Sequence, residues 1–189
     1  MTRYTALYDA CVLYPAPLRD MLMQLAISDL FRARWTARIH DEWIGAILEE
    51  RRDLKEADLN KTRALMDENV RDCLITGYEP LIDTVSLPDE DDRHVLAAAI
   101  RGRVDVIVTF NLKDFPAETL AAYDIEAQHP DEFIAHLADL SPTIVFEAAK
   151  AIRARLVKPE KSVEEYLATL AKQGLPKTVN FLCQGKNLI

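Results

Sequence analysis

Cysteine is scarce and scattered: Cys11, Cys73 and Cys183 are odd in number, far apart, and without CxxC or Cys/His ligand spacing. That excludes a disulfide framework and a zinc site, and leaves buried thiols in a reducing compartment. Long apolar runs are missing too. None approaches the roughly 18 residues a membrane span requires, and the first residues carry no basic stretch followed by an apolar one. The expectation is a cytoplasmic protein with no membrane partner. Positive charge is in deficit, with 23 Lys and Arg against 31 Asp and Glu and a net charge of −8. This opposes broad electrostatic capture of nucleic acid, although a local basic groove stays open. There is no Gly-rich phosphate loop, no nucleophilic Ser or Cys motif, no internal repeat and no low-complexity linker.

What is present is enough apolar material for one sizeable core: 189 residues, 49% hydrophobic. The first run, within "YTALYDACVLYP" (4 to 15), suits a short buried strand that stops at Asp9. Helical spacing of Leu18, Met21, Leu22 and Leu25 predicts a core helix to about Phe31. Thr36 can cap a second helix with Ile39, Trp43, Ala46 and Ile47 inward. A third is expected from Asp58 to Leu74, with Leu74 inward, and residues 81 to 86 are expected to be extended. "LPDEDDRHVLAAAI" then sets acids ahead of an apolar helix, and Val104 to Thr109 reads as the clearest buried strand, turning away through "TFNLKDFP". Pro116 starts a short helix, and 125 to 128 can form a last strand. From about His129 the chain reads as helices only, with Ser141 and Ser162 as caps and Glu165 completing a capping box. The pattern is α/β: a parallel sheet flanked by helices, with a sheet-bearing domain at 1–128 and a helical extension at 129–189.

Four acids stand apart from ordinary surface charge by placement. Asp9 and Asp114 follow strands, Asp92 opens a helix, and Glu42 borders the inward face of the second helix. Three of them have a bland alternative: Asp9 as a turn residue, Glu42 paired with Arg38 one turn back, and Asp92 as a helix cap. If the strands are parallel neighbours, the four places converge at one sheet edge, where ligands bind in such folds. Close carboxylates repel by roughly 4 kcal/mol at about 4 Å and an effective dielectric of 20, so they call for a hard cation. Carboxylates and water suit Mg²⁺ or Mn²⁺, which can activate a water against a phosphodiester. An aspartate-nucleophile phosphatase would want an acid at position 11, which is Cys. A phospho-receiver would want an acid pair at the first strand, which is not evident.

Taken in order, "YDACVLYP", "HDEWIGAIL", "PDEDDRHVLAAAI" and "VTFNLKDFP" resemble the PIN-domain family, particularly the VapC-like toxins of type II toxin–antitoxin systems. The resemblance covers about residues 4 to 128, and the helical tail looks like an extension found on some relatives. It implies a PIN-like fold and a metal-dependent endoribonuclease, with Asp9, Glu42, Asp92 and Asp114 as an acidic site for Mg²⁺ or Mn²⁺. Asp91 can exchange with Asp92 in such an alignment. Asn111 stands where many relatives have an aspartate, and is a neutral ligand there. Thr109 would orient a carboxylate or water, and Arg32, Arg34, Arg38 and Arg93 could hold phosphates. A cognate antitoxin and a homodimer are the implied partners. The rival expectation is a catalytically weak PIN-fold module that binds an antitoxin or RNA without turnover.

Overall fold

The computed structural model describes residues 4–189. In chain order its elements are β1 (Thr5–Tyr8), α1 (Ala10–Leu13), α2 (Ala16–Ile27), β2 (Arg32–Arg34), α3 (Ala37–Glu50), α4 (Glu56–Asn69), α5 (Arg93–Gly102), β3 (Val106–Val108), α6 (Ala117–Ala121), β4 (Glu126–Gln128), α7 (Pro130–Leu140), α8 (Pro142–Arg155), α9 (Val163–Lys172) and α10 (Pro176–Cys183). Short 3-10 turns occupy Glu79–Thr84, Glu90–Asp92, Leu112–Asp114 and Lys186–Leu188.

The four strands form one parallel sheet in the order β2-β1-β3-β4. From β1 the chain goes outward to β2 and later returns to lay β3 on the opposite side of β1. The strand order therefore reverses between β1 and β3, and the carboxyl ends of those two strands border the crevice where parallel α/β sheets take ligands. The strands are short but apolar: every residue of β1 and β3 is buried. Six consecutive residues of α5, His94 to Ala99, are buried as well. The expected α/β architecture, a parallel sheet flanked by helices with helices alone in the C-terminal region, is the one observed.

Two compact units are distinguished by their internal contacts. The first comprises residues up to Tyr14 and Phe31–His129, and contains the whole sheet. The second comprises Pro15–Leu30 and Pro130–Ile189. In it α2 packs with α8 and α9, α7 with α8 and α10, and α9 with α10. Leu18, Met21, Leu22 and Leu25 are wholly buried, which is the apolar stripe read from their spacing.

Local chemistry explains most element ends. The Thr36 hydroxyl accepts from the Ile39 N–H at the start of α3, and Ser162 with Glu165 closes a reciprocal capping box at α9. Ser141 makes no such cap: its φ of −150° and ψ of 79° do not carry the side chain onto the first turn. The third helix stops at Asn69 rather than Leu74. Asp72 takes a positive φ of 54°, and Leu74, 40% exposed, forms an isolated bridge with Trp35 that prolongs the β2 edge. The segment expected to be extended at 81–86 is instead mostly the 3-10 turn Glu79–Thr84, with Pro80 in its first turn. Three elements went unread: the one-turn helix α1 behind Asp9, β2 with its Arg-Ala-Arg sequence, and α10, where Pro176 opens a helix. Among the described residues, no helix is long and apolar enough to cross a membrane.

Candidate functional site

Asp9 is the first residue beyond β1, and its backbone N–H still donates to the Val108 carbonyl of β3 at 3.1 Å. The carboxylate is only 4% exposed. Burying it requires donors, and three are present. The Ala10 N–H gives to Oδ1 at 2.7 Å, while the Thr109 hydroxyl at 2.7 Å and the Cys11 thiol at 3.1 Å give to Oδ2. Asp9 thus caps α1, as its bland reading required, and is also tied across the sheet to the end of β3. Thr109 Oγ1 in turn accepts from the Asn111 N–H at 3.0 Å. Cys11 Sγ accepts from the Phe110 N–H at 3.3 Å. Burial first, and the Asp9 charge second, push the Cys11 thiol up to about 12. It therefore stays protonated and acts as a donor rather than a nucleophile.

Asp92 occupies the position before α5 but makes no capping hydrogen bond. The cap in this region is Asp89, whose carboxylate accepts from the Asp91 N–H at 2.9 Å. The Asp92 carboxyl is instead pushed up to about 6, chiefly by burial and then by the charges of Asp9, Asp89 and Asp114. Charges from three stretches of the chain thus act on one carboxyl group. Asp114 joins them from the 3-10 turn Leu112–Asp114 that follows β3. Asn111, at the head of that turn, is exposed.

Glu42 does not figure among the groups acting on Asp92. It reaches α5 by another route, since its Oε1 lies 2.8 Å from Nε2 of His94 and 3.1 Å from Nε of Arg38. Both neighbours converge on Oε1, so no partner is recorded for Oε2. His94 is 1% exposed, and its Nδ1 is buried without a hydrogen-bond partner. A buried bare nitrogen lone pair costs less than a buried orphan N–H, so the proton belongs on Nε2, donated to Glu42. The pairing with Arg38 foreseen for Glu42 is present.

The other residues singled out by the sequence stand as follows. Arg93 is paired with Glu90, and Asp41 with Arg63. Arg34 donates to the Leu74 carbonyl through Nη2, while its Nε is buried without a partner. Arg32 is exposed on the edge strand. His94, Asp89 and Cys11 escaped the sequence reading as site neighbours. The only local hint was that one helix cap does not need four acids.

A hard divalent ion suits this donor set. Every candidate ligand is an oxygen, and the part of the Asp92 shift that comes after burial is repulsion from Asp9, Asp89 and Asp114, which a cation would relieve. Among the described residues, no three His, Cys, Asp or Glu side chains already converge as a metal-holding group.

Comparison with known proteins points the same way. Residues 5–113 match the PIN domain family model, and residues 130–184 match that of the VapC50 C-terminal domain. Over 76 residues, 40% of the chain, the protein is 49% identical to "Putative ribonuclease VapC50" from Mycobacterium tuberculosis. That match spans 42% of the relative's length. No solved structure matches the chain. With a parallel sheet that carries acids at its switch point and a PIN match over more than half of its length, the chain belongs to the PIN-domain family, as a VapC-like member with a helical C-terminal extension.

Proposed function

We propose that the protein is an endoribonuclease dependent on Mg²⁺ or Mn²⁺, and the toxin of a toxin–antitoxin pair acting in the cytoplasm. The observation that carries this reading is the Asp92 carboxyl, raised first by burial and then by the charges of Asp9, Asp89 and Asp114, with Asp9 at the β1/β3 crevice. Asp9, Asp92 and Asp114, with Asn111 as a neutral ligand, would hold the ion, and Glu42 would complete the acidic site through its Oε2. When bound, the ion supplies activation of a water and neutralisation of charge on the phosphodiester. The chain's own residues do the rest. Ala10, Thr109 and Cys11 fix the Asp9 rotamer, and His94 and Arg38 hold Glu42 by Oε1. Asp92 can hold and release a proton near neutral pH. Residues 1–128 form the nuclease domain and 129–189 the extension, which serves packing or partner contact. A cognate antitoxin and a second copy of the chain are the partners this reading implies.

The test is cleavage of single-stranded RNA. Mg²⁺ or Mn²⁺ should support it, and EDTA should abolish it. Asp9→Asn should remove it while the protein still melts cooperatively. Undiminished cleavage in excess chelator would overturn the mechanism. The rival is a module that binds an antitoxin or RNA without turnover, and it draws on the absence of a ready three-ligand group among the described residues. Metal-supported binding of RNA with no cleavage would favour it.

A further inference from the structure

The first unit has three phenylalanines, and two of them, Phe31 and Phe115, are 2% exposed. Phe110 differs. It is half-buried, and its ring meets that of the half-buried His129 at 5.1 Å with 70° between the planes. In such an edge-to-face pair one ring presents only its edge, so both faces of that ring are left uncovered by its partner. The position is set by the sheet. Tyr8, Val108 and Gln128 are level across β1, β3 and β4. Asp9, Thr109 and His129 are therefore the next level, with Phe110 one residue further on. The Phe110 N–H rests on Cys11 Sγ, which itself donates to Asp9. Next along the chain, Leu112 is 42% exposed. Aromatic and apolar surface thus adjoins the acid cluster instead of being withdrawn into the core.

Charge makes this placement useful. A chain of net charge −8 gains little from general attraction to phosphates, and Arg38 and Arg93 beside the site are both paired with acids. A contact that does not depend on charge would then add affinity for a single strand. Base–aromatic stacking is such a contact, and it tolerates sequence because every base has a π-face. We propose that Phe110 and His129 form a platform on which a nucleobase of single-stranded RNA stacks, next to the phosphate presented to the acid cluster. The placement at the phosphate rests on the nuclease reading above; the stacking itself does not.

The experiment uses short single-stranded RNAs carrying 2-aminopurine, or an abasic nucleotide, at each position in turn. Fluorescence is read in chelator with the full-length protein, and cleavage is read separately in Mn²⁺. At one position the wild type should quench 2-aminopurine. Phe110→Leu, which keeps an apolar side chain of similar bulk, should lose the quench and bind about tenfold more weakly with an unchanged melting temperature. His129→Asn should weaken both in the same direction. The abasic nucleotide at that position should cost the wild type about tenfold and cost Phe110→Leu nothing further. Equal quenching by wild type and Phe110→Leu, or fully additive losses, would overturn the platform. So would unchanged RNA binding by Phe110→Leu together with lost protein association, which would assign the face to a protein partner. Cleavage without quenching rejects the platform and spares the nuclease; quenching without cleavage in Mn²⁺ does the reverse.

Discussion

Asp92 and His94 lie two positions apart at the start of α5 and serve different acids, and each can be tested alone. The folded Asp92 carboxyl, at about 6, lies above its ordinary 3.8. The folded protein therefore binds a proton there more tightly than the unfolded chain does. The resulting stabilisation is full below about pH 4 and is lost as pH rises through about 6. For this partly exposed group it amounts to roughly 1–2 kcal/mol after solvent screening. Asp92→Asn should flatten this slope in urea unfolding of the metal-free protein, and a slope equal to wild type would show that other groups set it. A bound cation competes with the same proton. The Mn²⁺-induced rise in melting temperature should therefore be larger at pH 7 than at pH 5 in the wild type, and less pH-dependent in Asp92→Asn. For His94, Gln is the informative replacement, because its amide can donate from about the position of Nε2. His94→Leu should weaken Mn²⁺ binding roughly 10- to 100-fold, and His94→Gln should recover part of that loss. Equal loss in both variants would make His94 a packing residue only.

Within the elements, α3 is held at both its start and its middle. Thr36→Ala should cost about 1 kcal/mol through the lost Ile39 N–H bond, read as a lower urea midpoint. More is at stake at Asp67 on α4. Its Oδ1 accepts from Trp35 Nε1 at 2.8 Å and from His40 Nε2 at 2.9 Å, while His40 Nδ1 accepts from Trp43 Nε1 at 2.9 Å. Trp35, His40 and Trp43 are 0–1% exposed, so Asp67→Ala should strand two buried donors and cost about 3 kcal/mol or more. A loss below about 1 kcal/mol would mean that water replaces the carboxylate. Nothing in the sequence marked Asp67, because α4 is rich in charge and the partners of this acid lie 27 and 32 positions away. The same reason hid His94, whose acid partner Glu42 sits on another helix. What could be read locally was read: β1 and β3 from apolar runs, the helices from their spacing, and the C-terminal helices α7 to α9 from caps and stripes. An edge strand of Arg-Ala-Arg offers no apolar run, so β2 was invisible. Asp9, Asp92 and Asp114 stood out by position, but their mutual proximity depends on a strand order that no local pattern encodes.

For the whole molecule, the decisive feature is that α2, near the amino end, packs with helices of the carboxyl end. Truncation after Asp131 would remove α8 and α9 and uncover Leu18, Met21, Leu22 and Leu25 on α2. The expected outcome is aggregation or poor expression, seen by light scattering before any change in cleavage chemistry can be measured. Replacing those four residues by polar ones in the truncated chain should restore solubility, and failure to do so would place the exposed surface elsewhere. Synthesis adds a time axis to the same arrangement. A ribosome makes α2 within the first 27 residues but must add about 128 more before α8 is complete, roughly 6–25 s at ~5–20 residues per second. Through that interval the apolar face of α2 belongs to a nascent chain with its packing partners still unmade. Completion of this unit thereby waits on synthesis of α8 and α9, and a message interrupted before them yields a chain that chaperones and proteases can recognise.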